Sequence, residues 1–138
     1  MKTLKSVQII LIVLAVTFSV TVSPSSSQDK PAEFTIARAV VGTGVENLEP
    51  IGSAETFPAS TEKVYCFIEA TSIPTDTEIT FVWYYGDQEL LKFNTALKAG
   101  PKWRTYAHKN LYGQKGNWKV EIKDAAGTVL KHVTFKVE

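Results

Sequence analysis

The chain has 138 residues, a formal net charge of +1 and one cysteine, Cys66. A single cysteine excludes an internal disulfide, so the fold must be held by packing, which a chain of this size can do. The charge is too even for a nucleic-acid binder: without Lys2 and Lys5 it becomes −1, with nine acids against three bases over residues 28–85 and ten bases against five acids over residues 86–138.

Met1-Lys2-Thr3-Leu4-Lys5 is a short basic start. An apolar run follows from about Val7 to Val22, then the small-residue exit Ser23-Pro24-Ser25-Ser26-Ser27. This order is that of a secretory signal peptide, an apolar helix cut after Ser27. The run is shorter than the roughly 20 residues that span a bilayer with ease. The expected product is exported to the periplasm or the extracellular space, with no membrane contact after cleavage. An uncleaved N-terminal membrane anchor is the alternative. Residues 1–27 are thus expected to be signal, 28–32 a flexible linker and 33–138 the folded domain.

From Glu33 onward, short apolar runs alternate with turn clusters, the rhythm of an all-β domain. Phe34–Val41 is the first expected strand. Residues 42–61 form a long irregular stretch rich in Gly and Pro, with room for a short strand, pinned by Ile51 and Phe57. Lys63–Ala70 is apolar on both parities, which suits a central strand. Glu78–Tyr85 sets Ile79, Phe81, Trp83 and Tyr85 on one face. Gly86-Asp87 is a hairpin turn of the Gly-X kind, and Glu89–Thr95 returns from it. Lys98-Ala99-Gly100-Pro101 breaks the chain before a strand over Lys102–His108. Trp118, Val120 and Ile122 then alternate with Lys119, Glu121 and Lys123, apolar in and charged out. Asp124–Gly127 turns into Val129–Val137, where Lys131 falls on the apolar parity and calls for a bulge or a place beyond the core edge.

Seven such strands predict an immunoglobulin-like antiparallel β-sandwich, with a small β-barrel as the alternative. Trp83, Trp103 and Trp118 are expected in its core. Cys66 is expected as a small buried side chain and His132 as a half-buried one.

Val45-Glu46-Asn47-Leu48-Glu49-Pro50-Ile51-Gly52, Glu55–Ser60 and Val64-Tyr65-Cys66-Phe67 resemble the first half of the bacterial domain-of-unknown-function family 2914 (DUF2914). Val82–Gly86, Trp103-Arg104-Thr105, Gly116–Val120, Asp124, Gly127–Leu130 and Phe135 resemble its second half. Leu48 stands where the resemblance leads one to expect a basic residue. The resemblance brings no activity, cofactor or catalytic residue. It implies an accessory domain of exported or membrane-attached proteins, with a binding or structural role.

The chemistry points the same way. There is no Gly-x-Ser-x-Gly, His-Glu-x-x-His or Gly-x-x-x-x-Gly-Lys pattern. The only histidines are His108 and His132, so a metal site lacks a cluster of ligands. No cofactor is expected. The expected function is a non-enzymatic module that binds a protein or glycan of the cell envelope. The alternative is a hydrolase or redox enzyme using Cys66 or the loop glutamates Glu46, Glu49, Glu55 and Glu62. The expected binding surface is the outward row of the fifth strand, Lys102, Arg104, Tyr106 and His108. Trp103, Thr105 and Ala107 take the inner parity, and Arg and Tyr are enriched at binding hot spots.

Overall fold

The computed structural model describes residues 33–138. The expected signal and linker, residues 1–32, lie outside the described residues.

Ten strands follow one another: β1 Thr35–Gly42, β2 Gly44–Glu46, β3 Glu49–Ile51, β4 Thr56–Phe57, β5 Lys63–Ile73, β6 Thr77–Tyr85, β7 Gln88–Leu97, β8 Gly100–Asn110, β9 Gly116–Lys123 and β10 Val129–Val137. The seven long ones are the seven expected from period-two patterning. They form two open sheets, β1-β5-β8 and β4-β10-β9-β6-β7. All long-strand pairings are antiparallel, and β4 adds a short parallel pair to β10. This is the immunoglobulin-like sandwich, and the sheets do not close into the alternative barrel.

The core lies between the sheets because one parity of each long strand is apolar. The three-stranded sheet contributes Ile36, Val41, Val64, Cys66, Ile68, Ala70 and Ala107. The five-stranded sheet contributes Ile79, Phe81, Trp83, Trp118, Val120, Ile122, Phe135 and Val137. Trp118 stacks on Phe135 at 5.9 Å between ring centres, and its indole N–H donates to the Gln114 carbonyl at 3.0 Å. Phe57, from the irregular stretch, closes edge-on against Phe135 at 5.8 Å.

The turns follow local chemistry. Gly86, at φ 57°, begins the two-residue loop between Tyr85 and Gln88. Asp124 turns β9 into β10, its carboxylate accepting from the Ala126 N–H at 3.0 Å and the Thr128 N–H at 2.8 Å. Such an Asx turn frees the backbone from the ladder.

Four expectations are corrected. The irregular stretch holds three short strands: β2 and β3 pair as a hairpin, and β4 joins β10. Ile51 does not pin this stretch. It is 41% exposed at the end of the hairpin, whereas Phe57 is buried. The break after β7 is only Lys98-Ala99, and Pro101 sits inside β8, which an edge strand tolerates near its start. His132 is exposed rather than half-buried. It pairs with Glu121, on the face opposite that of Val133 and Phe135. Lys131 stays in register with Val133 and Phe135, opposite the buried Ile122, and is exposed, so it lies beyond the core edge.

Candidate functional site

The predicted row sits where, among the described residues, β8 forms the free edge of the three-stranded sheet. Strand pairing sets Lys102 opposite Thr71, Arg104 opposite Glu69, Tyr106 opposite Phe67 and His108 opposite Tyr65. On the far side of β5, Arg38 stands opposite Glu69, Val40 opposite Phe67 and Gly42 opposite Tyr65. Cα partners present their side chains to the same face. All of these groups therefore share the outer surface of the sheet.

That surface is not a free basic stripe. The β2–β3 hairpin folds back over it. The Thr43 N–H donates to the Ile51 carbonyl at 3.0 Å, and the approach is so close that a Cβ on Gly42 would collide with that carbonyl oxygen. The hairpin brings Glu49 over the sheet. Both terminal nitrogens of Arg38 donate to the Glu49 carboxylate at 3.1 Å, and Arg104 Nη1 lies 3.0 Å from Glu49 Oε1. Beneath, Arg104 Nε donates to Glu69 Oε1 at 2.9 Å. Arg38 Nε lies 3.5 Å from Glu69 Oε2, and Lys102 Nζ lies 3.8 Å from Glu69 Oε1.

Two carboxylates thus answer three cations. Glu69 is almost buried, with 11% of its side chain exposed. The hydrogen bond from Arg104 holds its pKa below the ordinary carboxylate value against the opposing cost of burial. The hydrogen bond from Arg38 does the same for Glu49. The Arg38 guanidinium also lies over the Phe67 ring, 5.0 Å from its centre. Phe67 is fully buried although it faces away from the main core. This explains why β5 is apolar on both parities: its outer side has a cover of its own.

The predicted row therefore divides. Lys102 and Arg104 belong to the ionic cluster under the hairpin. Tyr106 and His108 belong to an aromatic group with Tyr65, whose ring lies 5.9 Å from Tyr106 and 5.6 Å from His108. Tyr106 is 40% exposed, His108 is exposed and Tyr65 is half-buried.

At the other end of the row, Leu48, Lys102, Trp103 and Arg104 line an open hollow of about 510 Å³. Trp103 is 37% exposed and is not the core residue expected. Its strand is the free edge of the sheet, so its ring is flanked by a neighbouring strand on one side only. Leu48 occupies the tip of the hairpin. Asn47 and Leu48 have φ 50° and 56°, as a two-residue hairpin turn of the primed type requires. Leucine is uncommon there, because its Cβ crowds the backbone at positive φ.

Arg38, Tyr65 and Glu69 were not identified as site residues from the sequence, and Glu49 was identified only as an alternative catalytic group. The parity of Tyr65 against Cys66 was a usable signal for Tyr65. The hairpin lacks the glycine that would have announced its turn, so nothing local revealed that Glu49 would reach Arg38 and Arg104.

Of the alternative catalytic groups, Cys66 lies in the core, and Glu46 and Glu49 pair across the hairpin. Cys66 is completely buried, and burial pushes its thiol up to about 12. Glu46 and Glu49 flank the hairpin turn, Glu55 precedes β4 and Glu62 precedes β5. Among the described residues no three His, Cys, Asp or Glu side chains gather into a metal-holding group.

Among solved structures, the chain is similar to a mutant β-glucosidase of Listeria innocua in complex with laminaribiose. The identity is 9% and the TM-score 0.48, over 77% of this chain and 16% of that one. It is also similar to a β-glucosidase of Kluyveromyces marxianus, at 11% identity and a TM-score of 0.46, over 77% of this chain and 14% of that one. The chain thus spans a small fraction of the enzymes it matches. No curated protein matches the sequence. Residues 76–137, from the turn before β6 to the end of β10, match the family described as "Protein of unknown function (DUF2914)", and over this stretch the resemblance read from the sequence is borne out.

Proposed function

We propose that the domain is an exported, non-enzymatic binding module of the bacterial cell envelope, and that Tyr65, Tyr106 and His108 form its recognition surface for a protein or glycan. The observation that carries this reading is the aromatic group itself. Three neighbouring rings lie on an outer sheet face, outside the main core. Tyrosine offers an apolar ring with a polar tip, suited to a surface that must stay wet until a partner arrives. Arg104, held by Glu49 and Glu69, serves the scaffold in this reading.

The test is the double variant Tyr106→Ala plus His108→Ala, presented to the isolated envelope fraction and to its purified glycans. Lost capture at parental melting temperature supports the reading. Retained capture overturns it. Export is tested by N-terminal sequencing of protein recovered outside the cytoplasm: a start near residue 28 supports it, and an intact Met1 on a membrane-bound product favours the anchor.

The enzymatic alternative through Cys66 is disfavoured by the burial of the thiol, since the thiolate is the nucleophile. Rapid labelling of Cys66 by a thiol reagent in the folded protein would reopen it.

A further inference from the structure

Among the described residues, strand β7 is the free edge of the five-stranded sheet. Of its ten residues, only Leu97 is buried and only Thr95 is half-buried. Leu90, Leu91 and Phe93 are 36%, 40% and 45% exposed. A long edge with apolar side chains offers its unpaired N–H and C=O groups to another strand.

The register of β7 contains an irregularity that bears on which strand fits. Trp83 pairs with Leu91 but Tyr84 pairs with Glu89, so Leu90 is an extra residue. Lys92, opposite Val82, therefore shares a face with Glu89, opposite Tyr84. In a regular strand, residues three apart point to opposite faces. Here Lys92 Nζ lies 3.7 Å from Glu89 Oε1.

We propose that β7 pairs antiparallel with β7 of a second copy of this chain, about a two-fold axis at Leu90 and Leu91. In this register Glu89 faces Lys92 of the other copy, Lys92 faces its Glu89, and Leu90 and Leu91 face each other. Without the bulge this register would bring together side chains from opposite faces of the sheet. With the bulge, the charges match on one face and the leucines meet between them. A lysine and a bulge usually protect an edge from pairing. Here the lysine is answered by a glutamate at the position that self-pairing requires. A two-fold interface makes each such contact twice, and an apolar centre with charged flanks is the common interface pattern.

The test is the mass of the purified protein in solution, with the variants Glu89→Lys and Lys92→Glu. The parent is expected at twice the chain mass. Each variant alone places like charges across the axis and is expected at the single-chain mass with parental melting. An equimolar mixture of the two restores both opposite-charge pairs and is expected to give a dimer holding one chain of each. Failure of two variants that melt like the parent to form that dimer overturns the proposal, and where a variant misfolds the mass of the parent decides. A parent that stays at single-chain mass up to its solubility limit, or variants that both remain dimeric, overturn it too.

Discussion

Arg104 of β8 and Glu69 of β5 stand directly opposite each other on the outer face of the three-stranded sheet, and Arg104 Nε donates to Glu69 Oε1 at 2.9 Å. Arg104 also reaches Glu49 of the hairpin at 3.0 Å. One guanidinium thus ties a sheet carboxylate to the cover lying over it. Lys102, one pair further along the strand, contributes only an exposed ammonium at 3.8 Å.

The two cations should behave differently on truncation. Arg104→Ala leaves the nearly buried Glu69 without its shortest hydrogen bond, and is expected to cost about 1.5–3 kcal/mol, the range for hydrogen bonds to charged groups. Lys102→Ala is expected to stay within about 0.5 kcal/mol, as most surface changes do. Denaturant unfolding of both variants beside the parent measures the contrast. Equal losses would mean that the cluster is held by general electrostatics rather than by the Arg104 fork.

Acid should loosen the hairpin. Arginine hydrogen bonds hold Glu49 and Glu69 below the ordinary carboxylate value in the folded state. The folded protein therefore takes up these protons less readily than the unfolded chain. The resulting stability is complete above the unfolded carboxylate value of about 4.3, and is lost as pH falls through the lower folded values. The difference in stability between the parent and Glu69→Gln should be constant near neutrality and shrink below about pH 4. A difference that does not narrow in acid would show that Glu69 adds nothing through its charge.

Gly42 is the point at which the hairpin meets the sheet. A Cβ there would sit against the Ile51 carbonyl oxygen and 3.3 Å from the Ser53 nitrogen. Both are backbone atoms, so neither can swing aside. Gly42→Ala is expected to cost about 1–3 kcal/mol, as overpacking does, and to lift the hairpin from the sheet. Faster hydrogen exchange at Tyr65–Glu69 in the variant would register the opening. Unchanged exchange and stability would mean that the hairpin approaches less closely than described.

Trp118 is 1% exposed and stacked on Phe135. Trp118→Ala is expected to destabilise the domain by about 3–5 kcal/mol, as large aromatic truncations in cores do. A variant that melts like its parent would take Trp118 out of the core.

Much of the frame was legible without coordinates. Alternation of Trp118, Val120 and Ile122 with charged residues identified β9 and its inner face, and Gly86-Asp87 located the β6–β7 turn. The same reasoning assigned Lys102, Arg104, Tyr106 and His108 correctly to one side of β8. It failed for Trp103, whose parity is inward but whose strand is an edge. It also failed for Ile51, whose bulk suggested an anchor although the hairpin end leaves it in solvent.

The sequence by itself determined the all-β class, the seven long strands and which side chains share a face, because a strand alternates its side chains whatever surrounds it. What lies over each face was decided only by the tertiary structure. Nothing in the local pattern of Glu49, Arg38 and Arg104 tells that an eight-residue hairpin from Gly44 to Ile51 folds back to join them. Nothing in β7 tells that Leu91 and Phe93, inward by parity, remain 40% and 45% exposed. Both outcomes follow from the order of strands in the two sheets, which contacts between residues distant in the chain impose and local periodicity does not encode.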